Sequence, residues 1–313
     1  MTAACLILAA LVPGLYWDRD PATAPALKQA GIERIYVPAE RLDEWRRAGF
    51  EAVPFRPEAF EKATPPGVEY KIAEASATRM PWVDANGWRF VREGARAWFY
   101  EAAKGTAALA AAEPFAYGVQ AVVHPDAADL PLAGRMLAFL RRIEAPPLPA
   151  MVNIAVIDDG SETTAEVLNL LARRNLLFKV TKAPDPNLLT VRIGSPEYPV
   201  EESGDPFAVA VKVRQQLTDE KRLVRIYGSE VVLARLTGDG SRARLHLLNY
   251  GRRPVQGLRV RLLGEYRDGQ VLAFGAEPAA PADWSVRDGG TEFTIPAIDT
   301  YAVVDLLCAE TRP

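Results

Sequence analysis

From Arg222 to Leu307 the chain alternates apolar and polar residues in short runs: "RLVRIYG", "EVVLARLTGDG", "ARLHLLNYG", "GLRVRLLG" and "TEFTIPAIDTYAVVDL". Glycine-containing breaks separate them: Gly-Asp-Gly at 238–240, Tyr-Gly at 250–251 and Asp-Gly-Gly at 288–290. A period of two punctuated by such turns predicts an antiparallel β-sandwich over residues 221–313. The Gly238–Gly240 break reads as a hairpin turn.

The residues before this segment follow a different rhythm. "PGLYWDRD" is a short apolar strand ending in acids, and "APALKQAG" is a helix stopped by Gly31, followed by strand Arg34–Val37. "RLDEWRRAG" repeats the helix and its glycine stop at Gly49, followed by strand Glu51–Phe55. Helix, glycine and strand at this spacing are the mark of β/α units around a parallel sheet. Further strands are predicted at Val68–Ala73, Arg89–Val91, Val119–Val123, Asn153–Ile157, Leu176–Val180 and Leu188–Ile193. Helices are predicted at Thr106–Tyr117, Leu132–Arg142, from Ser161 to Asn175, and at Phe207–Leu217. Ser161 is the expected N-cap of the third, with Glu162 in its first turn. About eight strand candidates precede Asp219, which predicts an α/β chain: a compact or degenerate (β/α)8-like barrel over residues 1–220. A second parse breaks the chain at the proline-rich "EAPPLPAM", giving a partial barrel over 1–145 and a flavodoxin-like segment over 151–220.

Composition narrows the function classes. The 313 residues are 49% hydrophobic and 25% charged, the balance of a globular chain rather than a disordered one. A net charge of −3 and the lack of a Lys/Arg cluster beside aromatics argue against nucleic acid as a partner. Cys5 and Cys308 lie at opposite ends and imply no disulfide framework. With His124 and His246 the only histidines and no Cys/His cluster, neither a metal nor a cofactor site is expected. Ala3–Val12 is an unbroken run of ten apolar residues, too short to span a bilayer. It reads either as a signal h-region, making the protein secreted or periplasmic, or as a buried lead-in to the first strand of a cytoplasmic protein. No other segment is long and apolar enough to span a membrane.

Candidate chemistry concentrates where strands end. Asp18 and Asp20 follow "GLYW", Glu40 follows "RIYVPA", Glu74 follows "YKIA", and Asp158 and Asp159 follow "NIAVI". "PWVDANGWRF" gathers Trp82, Asp84, Asn86, Trp88 and Arg89 within eight residues around Gly87. Indole faces stack on the C–H faces of sugar rings, while Asp, Asn and Arg supply directional hydrogen bonds to hydroxyls. The same segment also reads as a surface turn with two tryptophans in the core. "YWDRD" presents Trp17 and Asp18 at a barrel mouth, or is a simple Asp–Arg turn. Asp158–Ser161 is a strand-to-helix turn with paired carboxylates, or plain capping chemistry. Glu113 sits on an Ala-rich helix that Pro114 is expected to break. His124 follows a strand, and His246 falls within one.

The segment "LTGDGSRARLHLLNYGRRPVQGLRVRLLGEY…TEFTIPAIDTYAVVDL" resembles the all-β domain that follows the TIM barrel in several glycoside hydrolases. "GLYWDRDPATAPALKQAGIERIYVP" and "AAEPFAYGVQAVVHPDAADLPLAGRMLAFLRR" are similar in layout to the barrel of such enzymes. "NIAVIDDGSETTAEVLNLLARRNLLFKVT" resembles the flavodoxin-like module of some galactosidases. The resemblance implies hydrolysis or binding of a glycan, or another hydroxyl-rich small ligand, through acids at strand C-terminal ends. Asp84 would pair with one of Asp18, Glu40 or Asp158, and Trp17, Trp82, Asn86, Trp88 and Arg89 would hold the sugar. Two carboxyl groups about 5–10 Å apart in one cleft are what such hydrolysis requires. Bacterial carbohydrate proteins also include barrels without catalysis, so the alternative is a non-catalytic carbohydrate-binding or structural protein. A further alternative has residues 151–220 assemble the chain into a homo-oligomer.

Overall fold

In chain order the strands are β1 (Gly14–Leu15), β2 (Arg34–Val37), β3 (Glu51–Pro54), β4 (Glu61–Ala63), β5 (Gly67–Glu69), β6 (Trp82–Asp84), β7 (Trp98–Glu101), β8 (Ala121–His124), β9 (Ile154–Ile157), β10 (Phe178–Thr181), β11 (Leu189–Val191), β12 (Val224–Tyr227), β13 (Val232–Gly238), β14 (Arg242–Asn249), β15 (Val255–Leu263), β16 (Tyr266–Ala273), β17 (Ala282–Arg287), β18 (Gly290–Ile298) and β19 (Tyr301–Cys308). The helices are α1 (Ala24–Gln29), α2 (Leu42–Arg47), α3 (Gly87–Glu93), α4 (Ala107–Tyr117), α5 (Leu130–Arg142), α6 (Glu162–Arg173), α7 (Val200–Ser203) and α8 (Pro206–Leu217). This computed structural model describes residues 12–69, 81–94, 96–143 and 148–309. Cys5, Glu74 and most of the apolar run Ala3–Val12 lie outside the described residues. The chain divides into two compact units, residues 1–66 with 93–144, and residues 67–92 with 145–313.

The first unit is a parallel sheet with helices between its strands. The ladders run β4-β7-β8-β1 and β2-β3, and a bridge between Tyr16 and Tyr36 joins them. All of these pairings are parallel. Read along the sheet, β1 to β3 and then β4, β7 and β8 follow chain order, the neighbour rule of β/α barrels. Among the described residues no ladder joins β3 to β4, so the sheet has an open seam. The helices bury small residues: all of α4 from Ala107 to Ala116 is enclosed. Pro114 does not break that helix, contrary to expectation. Burial of the helix on nearly every side outweighs the lost N–H bond, and left-handed Gly118 ends it instead. Helix α5 comes close to the end of α1 at Gly134, where a Cβ would overlap the Ala30 carbonyl.

The second unit has two parts. Strands β10-β9-β11 form a parallel sheet in that order. Ile154 and Val156 of β9 share an apolar cluster with Val167, Leu168 and Leu171 of α6 and Val209 and Val213 of α8. Ser161 caps α6 by accepting from the Thr164 N–H at 3.1 Å, as its sequence position predicts, with Glu162 in the first turn. The rest is antiparallel. One sheet runs β12-β15-β18-β17 and another β13-β14-β19-β16. Alternate residues of both enter one cluster, including Val260, Leu262, Phe293 and Ile295 from the first and Leu245, Leu247, Val304 and Leu306 from the second. That alternation is the period of two legible in the sequence. Residues 89–91 differ from their predicted strand: they lie in α3, where Phe90 is buried and Trp88 and Val91 pack towards the α6–α8 cluster. Strands β4, β6 and β7 are additions to the predicted set, and of the predicted strand Val68–Ala73 all but residues 68 and 69 lies outside the described residues.

Candidate functional site

The C-terminal ends of the first unit's strands carry the densest chemistry among the described residues. Register puts Gly14, Tyr16, Tyr36, Phe99, Val122 and His124 on one sheet face, opposite Tyr100, whose hydroxyl donates to the buried Glu113 on α4 at 2.7 Å. That face is aromatic. The Tyr16 ring lies 5.2 Å from Phe55, 5.8 Å from Phe99 and 5.2 Å from His124, and Phe55 lies 4.7 Å from Phe60. Gly14 is required here, because a Cβ would overlap the Tyr36 ring.

Polar groups sit above this aromatic floor. Nε2 of His124, the last residue of β8, lies 3.4 Å from Oδ1 of Asp18, just beyond β1. The next strand pairs Glu101 with His124 in register, and Glu101 accepts from Lys62 at 3.0 Å. The Tyr16 hydroxyl is pushed to higher pKa first by burial, then by the negative charge of Asp18, Glu58 and Glu40. These three carboxylates follow three consecutive strands, β1, β2 and β3. Such an arrangement can hydrogen-bond a hydroxyl-rich molecule.

Other sequence-selected residues of this unit have different surroundings. Trp17, expected at a barrel mouth, is 1% exposed, and its indole N–H donates to Thr23 Oγ1 at 2.9 Å. Asp20 caps the turn that follows by accepting from the Ala22 N–H. Glu40 lies exposed in a 3-10 turn after β2.

The "PWVDANGWRF" residues fall in the second unit. On β6 the Trp82 indole donates to Asp84 Oδ1 at 2.9 Å. The Arg173 guanidinium lies 4.0 Å over the Trp82 ring and donates to the Pro81 carbonyl at 3.1 Å, so one indole face is already occupied by a cation. Asn86 is fully buried, with Arg89 Nη1 3.5 Å from its Oδ1. Gly87 begins α3 rather than forming an isolated turn.

Asp158 sits in a two-pronged pair with Arg92, at 2.8 and 3.0 Å, and Arg92 also donates to the Ser161 carbonyl. Burial alone would raise the Asp158 pKa. The Arg92 hydrogen bonds and the Gly160 N–H outweigh it and hold the carboxyl below its usual range. Asp159 accepts from the Ser161 N–H and the Thr164 hydroxyl; the Ser161 side chain first, then its N–H, lower its pKa likewise. The structure thus brings Asp18 to His124, Trp82 to Asp84, and Asp158 to Arg92, and leaves Glu40 exposed. Tyr16, Glu58, Glu101, Lys62, Arg92 and Arg173 were not singled out by sequence. For Tyr16 and Glu58 the available signal was their position next to a strand end, the same one that marked Asp18. Among the described residues no cluster of three His, Cys, Asp or Glu could hold a metal, and no helix is long and apolar enough to cross a membrane.

Fold and site define a mixed α/β protein with acids at the C-terminal ends of parallel strands, followed by antiparallel sheets. Among solved structures it is similar to α-L-fucosidase isoenzyme 2 from Paenibacillus thiaminolyticus, with a TM-score of 0.52 and 10% identity, over 68% of this chain and 60% of that one. Similarity extends to a rhamnosidase from Novosphingobium sp. PP1Y (TM-score 0.43, 10% identity, 69% of this chain and 32% of that chain). A GH42 β-galactosidase from G. stearothermophilus also matches (TM-score 0.39, 10% identity, 94% of this chain and 59% of that one). The likeness is of fold, glycoside-hydrolase-like, and the chain spans 60% of the fucosidase chain's length. No family model and no curated protein matches the sequence.

Proposed function

We propose that this is a carbohydrate-active protein in which a degenerate β/α barrel, followed by a β-sandwich, hydrolyses a glycosidic bond at the strand-end face of the first unit. The observation that carries the reading is the contact of Asp18 with His124 at neighbouring strand ends, 3.4 Å apart, beside the aromatic face of Tyr16. The fold likeness to the fucosidase supports it. Asp18, beside His124, acts as base or nucleophile, and Glu40 supplies the second carboxyl group. In the second unit, Asp84 and Asp158 serve to position Trp82 and Arg92. A panel of aryl glycosides tests the proposal: turnover should fall about 100-fold or more in Asp18→Asn and Glu40→Gln. Turnover unchanged in both variants would remove these residues from the chemistry.

One observation favours a second reading. Tyr16, Phe55 and Phe99 are each 6–8% exposed, so aromatic rings fill the floor where a hydrolase would seat its sugar. On that reading the strand ends bind a glycan without cleaving it, and glycan binding without turnover of any glycoside is the expected result. Self-association through residues 151–220 is a separate matter. Val200 and Phe207, at 59% and 50% exposure, give α7 and α8 an apolar surface. Light scattering of the chain at high concentration decides it, since a monomer rules it out.

A further inference from the structure

The outer face of the β12-β15-β18-β17 sheet is unusually basic for a chain of net charge −3. Arg225 on β12 stands directly opposite Arg261 on β15, and Arg261 stands opposite Glu292 on β18. Arg259 shares this face two residues along, with Tyr227 and Thr294 as its cross-strand partners. On β17, Ser285 stands opposite Glu292 and Arg287 follows two residues later. Two carboxylates are drawn in. Glu292 accepts from Arg259 and lies 3.8 Å from Arg261 and 3.7 Å from Arg287. Asp219, 3.6 Å from Arg225, is already held by Arg214 and Arg222. Four guanidiniums therefore share one carboxylate and part of another.

Two features of this face cost the folded chain something. Like charges directly across a ladder repel, and Arg225 and Arg261 are such a pair. Arg261 is also nine-tenths buried, yet its Nη1 has no hydrogen-bond partner. Room for that guanidinium exists because residue 290 is glycine: a Cβ there would stand 2.7 Å from Arg261 Nη2. An anion seated over Arg225 and Arg261 screens that repulsion. Arg259 and Arg287, with side chains 54% and 63% exposed, can reach further acceptors.

We propose that this sheet face binds a saccharide chain bearing carboxylates, of the uronic acid class. Guanidinium forks match planar carboxylates, as Glu292 already demonstrates on this face. The Thr294 and Ser285 hydroxyls between the arginines and the half-buried Tyr227 ring, with Arg225 5.2 Å over it, suit the hydroxyls and C–H faces of the same sugar. The inference does not depend on the hydrolase reading, because the face lies wholly within residues 224–294 of the second unit.

Calorimetric titration of the full chain with sodium polygalacturonate tests it, with neutral dextran, dextran sulfate and a 20-base-pair DNA duplex as comparisons. Polygalacturonate should bind and dextran should not, with affinity falling steeply as salt rises. The Arg259→Gln/Arg287→Gln double variant alters exposed side chains only and should bind at least tenfold more weakly. Arg259→Lys/Arg287→Lys should recover only part of the loss, since lysine keeps the charge but lacks the fork. Absence of polygalacturonate binding, or equal affinity in the Gln variant, overturns the proposal. DNA or dextran sulfate binding as tightly as polygalacturonate also overturns it, because the face would then read charge alone.

Discussion

At the scale of single residues, His246 shows how burial sets chemistry. It is 6% exposed and lies 2.7 Å from the Tyr301 hydroxyl through Nδ1. Burial, then the positive charges of Arg235 and Arg244, push its pKa down to about 3. Unfolded, the imidazole takes a proton below about 6.5; folded, it stays neutral until far lower pH. In that window the unfolded chain binds more protons, so the contribution is complete above 6.5 and is lost as pH falls towards 3. Unfolding experiments in urea should find about 1.4 kcal/mol less stability from this residue at pH 5.5 than above pH 7.5. In His246→Gln that part of the slope should vanish. An unchanged slope would mean that another group carries it. The sequence placed His246 within a strand, but its hydroxyl partner, 55 residues away, was invisible. The same holds for His124 and Asp18, both visible as strand-end residues although their pairing was not.

Elements are held by contacts of similar non-locality. Asn175 ends α6 in the left-handed region at φ 53°. Its side chain donates to the Val232 carbonyl at 3.1 Å and accepts from the Ala234 N–H at 2.7 Å, fastening the helix end to β13. Asn175→Gly keeps the backbone conformation accessible but loses both bonds, and should cost about 2 kcal/mol. Asn175→Ala adds backbone strain and should cost about 1 kcal/mol more. Equal losses in chemical denaturation would show that strain plays no part. Asp219 connects α8 to β12 through Arg214, Arg222 and Arg225. The Arg214 hydrogen bond leads in lowering its pKa to about 2, against the effect of burial. A depressed carboxylate stabilises above its unfolded pKa of about 4 and loses that contribution as pH falls towards 2. Asp219→Asn should therefore cost about 2 kcal/mol at pH 7 and almost nothing near pH 2. Helix–glycine–strand units were legible because caps and stops are local. Residues 89–91 were not: a short apolar run suits either period, and packing against the α6–α8 cluster made it helix.

For the whole molecule, the two units share no residue, so their proposed activities should separate. Asp18→Asn should cut glycoside turnover about 100-fold or more and leave polygalacturonate binding intact, and Arg259→Gln/Arg287→Gln should weaken that binding and leave turnover intact. Joint loss in either variant, measured by turnover and calorimetry on the same preparation, would tie the two sites together. The two rhythms, β/α before Asp219 and alternating strands after Arg222, were readable from the amino acids alone, because period and turn chemistry are written in consecutive residues. So was the placing of acids at strand ends. Which strands share a sheet emerged on folding: six in an open parallel run, with Ile154–Val191 supplying a separate three-stranded sheet. Folding alone brought Asp18 to His124, Asp158 to Arg92 and Arg225 opposite Arg261. Those pairings depend on ladder register and on side chains meeting across tens of residues, and neither leaves a period in the chain.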